Sequence, residues 1–428
     1  MLALVSRENF PRQVLWAAGL GNFLDGYSLT IIGVAMAPLR AAWRLAPGEI
    51  GLIAGAAVAG SLFGAALGGV VSDRFGRKAI FLLDIAGFVG ASALCGVAWN
   101  TAVLVLFRFV LGMAIGADYP LSSAYLAECA AATHRGQILS LSLGFWMAGA
   151  ICSALVGAAL MGVGPDGWRW MVASSAAPGA IVLALRQKLP ESPIWLRQKL
   201  TAATANIRMD MRRWALACVP RFCLDVTGYA LHLYLPLLLL TLGLHGARQF
   251  ALGDAGFFSM FVFGWILNVF LVDRFGRMRL QILGFLGGAF GLLVVAAASH
   301  YGSEGLYGVA AGLTIYQISN FAGPGITSWI LPVELFPTRI RATAQGVSTA
   351  VAHSGGLLAA VIVPLAIHLF GIAATILVLA GTALGGSILT KWLGVETNGI
   401  TLESGTEQSL EASADEVRAC LRPKRPEG

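Results

Sequence analysis

The chain has 428 residues, 57% of them hydrophobic and only 12% charged, with a formal net charge of +7. Soluble domains carry roughly 25% charged residues, so this composition excludes a soluble globular protein: it would be an enormous core with almost no surface. The six cysteines are scattered, with no CxxC pair and no clustering with His, so neither a disulfide framework nor a metal site is expected.

The N-terminal segment contains Arg7, Glu8 and Arg12 and runs straight into a long apolar stretch, which argues against a cleavable signal peptide. A membrane span needs about 20 mostly apolar residues. Six candidates lie near 14–38, 49–71, 79–98, 102–127, 137–162 and 170–186. Six more lie near 214–243, 251–272, 280–299, 305–332, 343–369 and 372–394. The expected architecture is an all-α membrane protein of 12 transmembrane helices in two pseudo-symmetric six-helix bundles, 1–187 and 214–395. A cytoplasmic linker, 188–213, joins them, and a polar tail, 396–428, is expected to be flexible and cytoplasmic. Basic residues report orientation. Arg40, Arg44, Arg169 and Arg248 fall on one side, Arg108 and Arg221 fall inside spans, and the other 23 fall on the side of both termini. That places both termini in the cytoplasm.

Three features recur between the halves. The pentapeptide DRFGR stands at 73–77 and 273–277, and an aspartate lies inside span one (Asp25) and span seven (Asp225). A glutamate followed seven residues later by an arginine closes span four (Glu128, Arg135) and span ten (Glu334, Arg341). Parallel six-span repeats enclosing a midplane site are an architecture of secondary transporters.

Charges inside spans are costly and mark sites or pairs. Asp25 lies mid-span among Gly21, Asn22 and Gly26; it is either a proton-coupling carboxylate or a structural partner of Arg108 or of a backbone group. Asp84 in span three reads as one member of a structural pair. Arg108 opens span four, where it can pair Asp25 or Asp118 or attract an anion. Gly112 and Gly116 permit close helix approach before Asp118, Tyr119 and Pro120. Tyr119 is a candidate substrate hydrogen bond and Asp118 a second titrating group. In span seven, Arg221, Asp225, Tyr229 and His232 share one helical face, as expected of a stripe facing a central cavity. The competing reading is an internal Arg221–Asp225 pair. Trp146 and Trp329 are candidate cavity walls, and Asn320, Gln317 and His353 candidate polar groups there. The loop residues Asp73, Arg74, Gly76, Arg77, Glu128, Arg135, Glu191, Asp273, Arg274, Arg277, Glu334 and Arg341 fall at one membrane face, where they fit a gate network.

The segments GGVVSDRFGRKAI (68–80), RFVLGMAIGADYPLSSAYLAE (108–128), LPESPIWL (189–196), LPVELFPTRIRATAQG (331–346) and ETNGITLE (396–403) resemble the major facilitator superfamily and its sugar-porter-like branch. FLDGY (23–27) and GADYP (116–120) are similar to metabolite:proton and phosphate:proton symporters. The resemblance implies the fold of that superfamily, alternating access and a proton site at Asp25. Trp146, Arg221 and Gly325 stand where the phosphate symporters have Gln, Trp and Asn, which argues against inorganic phosphate. The sequence therefore points to a proton-coupled importer of a small polar metabolite, and Arg108 and Arg221 favour an organic anion. A neutral sugar or polyol symporter and a proton-driven exporter are the alternatives. No catalytic constellation, nucleotide loop or cofactor site is present, so the expectation is a monomeric, non-enzymatic plasma-membrane carrier driven by the proton gradient alone. Its partners are a small-molecule substrate and the lipid bilayer, with no nucleic acid.

Overall fold

A computed structural model describes residues 12–164, 166–200, 210–241 and 247–400. Those residues form helices and connecting turns, with no strand among them. In the first half, α1 (Arg12–Trp43), α2 (Pro47–Phe75), α3 (Arg77–Gly96), α4 (Thr101–Cys129) and α5 (Arg135–Leu160) are the first five spans. The sixth is broken into α6 (Gly167–Ala173) and α7 (Ala176–Gln187). A short helix, α8 (Pro193–Leu200), follows inside the stretch expected as linker.

The second half repeats the pattern with α9 (Met211–Thr241), α10 (Ala247–Phe275) and α11 (Arg277–Ser299). The tenth span is split at Gly323 into α12 (Leu306–Ala322) and α13 (Pro324–Leu335), with Pro324 opening the second piece. α14 (Arg341–Leu393) joins the last two spans across a break at Gly371, whose φ of 82° suits a residue without a Cβ. Seven helices among the described residues are long and apolar enough to cross a membrane. This is a multi-pass integral membrane protein.

Large apolar side chains remain exposed around the bundle, including Leu83, Trp99, Val361 and Trp392, as expected of a surface facing lipid. Inside each half the spans pack closely. A Cβ on Gly112 or Gly116 of α4 would collide with the Ala57 or Ser61 carbonyl of α2. The halves meet along α2 against α14 and α5 against α10. Trp265 of α10 donates to the Ser140 carbonyl of α5 at 2.7 Å.

Candidate functional site

The two DRFGR turns lie at one face and join the halves there. The Arg77 guanidinium contacts Glu128 at 3.0 Å and also donates to the Thr338 carbonyl of the second half at 2.9 Å. Arg341 donates to the same Glu128 oxygen at 3.0 Å. Arg277 pairs Glu334 at 2.9 Å, and Arg135 approaches Glu334 at 3.7 Å. The repeated Glu…Arg element thus pairs crosswise, each arginine reaching the glutamate of the other half.

The aspartates cross in the same way. Asp73 accepts from the backbone N–H and hydroxyl of Thr343, at the start of α14, at 2.7 and 2.6 Å. Asp273 accepts from the Gly136 and Gln137 N–H groups, at the start of α5, at 3.2 and 2.8 Å. Helix N-termini carry unpaired N–H groups and a partial positive charge, so each carboxylate caps a helix of the opposite half.

Glu191 accepts from the Arg77 and Lys78 N–H groups, and Ser192 donates to Glu128 at 2.5 Å. Glu396 and Thr397 do the same for the N–H groups of Arg277 and Met278 and for Glu334. The described part of the tail, up to Ile400, is therefore structured, because it fills the role that Pro190–Ser192 fills in the first half. Arg135 also donates to the Ile400 carbonyl at 3.0 Å. Arg74 and Arg274 are exposed and make no ion pair among the described residues, so the network forms without them.

Deeper in the first half the structure assembles a cluster whose three aspartates stood out in the sequence but whose cation did not. Arg186, counted with the loop charges from sequence, is 1% exposed at the end of α7. Its guanidinium contacts Asp118 at 2.7 Å and Asp84 at 3.3 Å and lies 3.6 Å from the Phe81 ring centroid. Asp84 thus has a buried ion pair, and Asp118 also accepts from Ser122 at 3.0 Å. Asp25 is 2% exposed and within electrostatic range of all three, while its Oδ2 has no hydrogen-bond partner. Gly21 makes room for the cluster, since a Cβ there would collide with Arg186 and Asp118. Arg108 takes another course: its Nε donates to the Ile53 carbonyl at 2.9 Å, and no carboxylate pairs with it among the described residues. The expected Arg108 pairing with Asp25 or Asp118 is absent because α7 delivers Arg186 there instead.

Between the halves lies an aromatic and polar layer. Tyr119 meets Trp329 at 4.8 Å and His353 at 6.1 Å between ring centroids. His353 Nδ1 and Ser61 Oγ share a 2.9 Å hydrogen bond across the two halves. Arg221, 1% exposed, places its guanidinium 3.8 Å from the Trp329 ring centroid, and its Nη1 has no hydrogen-bond partner. Asp225 is one turn away, yet no ion pair within 4 Å joins it to Arg221 among the described residues. The internal pair considered from sequence is not formed, because the guanidinium stacks on the aromatic face instead. Trp146 faces Phe261 at 6.4 Å. Tyr229 packs against Gly356. Asn320 donates to the Tyr316 hydroxyl, leaving its Oδ1 unpartnered, and both amide atoms of the fully buried Gln317 are unpartnered. The side chain of His232 lies outside the described residues. A small cavity beside this layer is lined by residues that include Asn22, Tyr119, Ser122, Ser142 and Trp329.

Two helical bundles, locked together at one face, with buried ionisable groups within and between them, define a secondary transporter. The family model of the Major Facilitator Superfamily matches residues 18–360, and the chain belongs to that superfamily. It is 31% identical to YaaU of Escherichia coli (strain K12), named for metabolite transport, over 93% of this chain and 95% of that one. It is 25% identical to an arabinose-proton symporter of Bacillus subtilis (strain 168), over 85% and 87% of the two chains. The proton:xylose symporter XylE, bound to 6-bromo-6-deoxy-D-glucose, superposes with a TM-score of 0.81 at 22% identity, covering 94% of this chain and 99% of that one.

Proposed function

We propose that the chain is a proton-coupled symporter that imports a small organic anion, such as a sugar acid or another carboxylate, by alternating access. The observation that carries this reading is Arg221: a buried guanidinium at the boundary of the halves, stacked on Trp329, with an unpartnered nitrogen and no carboxylate within ion-pair distance among the described residues. A buried cation that Asp225 reaches only through space, without a contact ion pair, is costly, and an anionic substrate would supply a contact charge. Tyr119 and His353 flank the same layer with hydrogen-bonding groups.

Proton coupling is assigned to the Asp25, Asp84, Asp118 and Arg186 cluster, with Asp225 as the second-half counterpart. Three carboxylates share one guanidinium there, so full ionisation leaves two negative charges in excess, and each proton taken up removes one. Asp25, the member without a hydrogen bond on Oδ2, is the group expected to load and release it. The face bearing the DRFGR turns and both termini is assigned to the cytoplasm of the plasma membrane, from the excess of basic loops. The crosswise latch would then close the inner gate. The carrier works as a monomer with no cofactor besides the proton gradient.

Uptake into proteoliposomes under an imposed pH gradient, with a panel of carboxylates, sugar acids, neutral sugars and phosphate, tests the proposal. Accumulation of acids that collapses with the gradient is expected; accumulation indifferent to the gradient would overturn the coupling. A neutral sugar substrate is the second reading, favoured by the arabinose and xylose symporters to which the chain is similar. Arg221→Gln separates the two: selective loss of acid uptake supports the anion, and equal loss for neutral sugars supports the sugar.

A further inference from the structure

The two DRFGR turns are built alike but covered differently. Glu191 and Glu396 stand 205 residues apart and cap equivalent helices, α3 and α11. Four residues after each cap the halves diverge. In the first half Trp195, on α8, is 8% exposed and donates to the Asp73 carbonyl at 3.1 Å. Its ring covers the turn so closely that a Cβ on Gly76 would stand 3.3 Å from it. In the second half the corresponding residue is Ile400, which is exposed and follows a turn, and the three atoms nearest a Cβ on Gly276 all belong to Glu396.

The uncovered turn leaves an open cavity of about 390 Å³ between the ends of α10, α11 and α14. This is within the roughly 300–1,000 Å³ of small-ligand sites. Three cations line it: Arg274, Arg279 and Lys391. Two of them are peculiar to this half. Arg279 stands where the first half has Ala79, counting from the DRFGR repeat. Lys391 stands where the first half has Arg186, counting from the capping glutamates. Arg186 turns inward because Asp84 and Asp118 receive it. The positions corresponding to those acids in the second half are Gly284 and Pro324, so no carboxylate draws Lys391 inward. The cavity's acid, Glu396, already spends both oxygens on the N–H groups of Arg277 and Met278. Phe275 and Trp392, 51% and 74% exposed, flank this end of the bundle, where aromatic side chains favour the interface between headgroups and acyl chains.

We propose that this pocket binds the phosphate headgroup of an anionic phospholipid of the inner leaflet. The leaflet rests on the orientation proposed above; the basic pocket itself does not. Basic pockets between spans at the cytoplasmic surface suit such headgroups. Through Gly276 and Glu396 the lipid would sit directly behind the second-half latch.

Native mass spectrometry of the purified full chain, titrated with phosphatidylglycerol, phosphatidylcholine or glycerol 3-phosphate, tests the site without any need for transport. Tighter retention of phosphatidylglycerol than of phosphatidylcholine is expected, with little binding of glycerol 3-phosphate. Arg279→Gln combined with Lys391→Gln should weaken phosphatidylglycerol binding about tenfold or more, given roughly 1 kcal/mol per basic residue near an anionic surface. Arg279→Lys with Lys391→Arg should preserve it, and Arg74→Gln at the covered turn should leave it unchanged. Equal retention of both lipids, equal binding of glycerol 3-phosphate, undiminished binding by the double Gln variant, or an equal loss in Arg74→Gln would each overturn the proposal.

Discussion

Arg341 donates to Glu128 at 3.0 Å across 213 residues of sequence and across the boundary between the two halves. Each of these residues belongs to a Glu…Arg repeat that reads, within one half, as a local pair seven residues apart. The structure instead exchanges partners, with Arg135 approaching Glu334 in the second crossing. A pair formed within one half could not hold the halves together; a crossed one must part whenever this face opens.

Glu128 is shared within that latch by Arg77, Arg341 and Ser192, one of them from the other half. Removing one partner of a buried ion pair costs about 3–5 kcal/mol, because the other charge is left uncompensated. Glu128→Gln is therefore expected to lower the unfolding temperature in detergent and to raise the accessibility of cysteines introduced at this face. Arg341→Gln added to it should recover part of the loss. A single variant as stable and as closed as wild type would show that the network does not latch the halves.

Arg186 holds Asp84 and Asp118 together. Arg186→Gln leaves two buried carboxylates without a cation and is expected to abolish gradient-driven uptake and cut stability by several kcal/mol. Arg186→Gln with Asp84→Asn should restore folding, measured by monodisperse elution and thermal unfolding, without restoring uptake. Full uptake by the double variant would remove Arg186 from the coupling cluster.

Gly21 and Gly33 lie on the same helix, one buried and one exposed, and differ in what a side chain would meet. At Gly21 a Cβ collides with Arg186 and Asp118, whereas at Gly33 there is open space. Gly21→Ala is expected to reduce uptake at least tenfold, and Gly33→Ala to leave it within about twofold. Matching uptake by both in the same proteoliposome assay would indicate that the cluster tolerates displacement.

Asp25→Asn should abolish gradient-driven accumulation while sparing counterflow exchange, because exchange requires no net proton movement. Normal accumulation by this variant would take the coupling role away from Asp25.

Trp329 supplies the face on which Arg221 rests and also meets Tyr119. Trp329→Ala removes a desolvated cation–π contact of about 2 kcal/mol and is expected to raise the KM for uptake by roughly ten- to thirtyfold. Trp329→Phe should recover much of that loss. An unchanged KM in Trp329→Ala would place the substrate elsewhere.

Composition and pattern by themselves determined a great deal. Sparse charge, twelve apolar runs and the DRFGR duplication led directly to paired six-helix bundles, since length and hydropathy are local quantities that a bilayer imposes on each span separately; the superfamily came from the resemblance of its motif segments. Asp25, Asp118 and Arg221 stood out for the same reason: a charge in an apolar run is visible without knowing its neighbours. Who pairs with whom was decided only by tertiary structure. Arg186 sits at a span end and reads as an ordinary loop cation; its partner Asp84 is 102 residues away. Arg108 and Arg221 read as members of ion pairs, yet one donates to a backbone carbonyl and the other stacks on an indole. A buried guanidinium takes whichever acceptor or ring the packing brings within about 4 Å, and the packing of helices distant in sequence is a long-range outcome. The repeat announced two related halves, and their folding showed where they part, with Trp195 closing one turn and the pocket at Lys391 left open at the other.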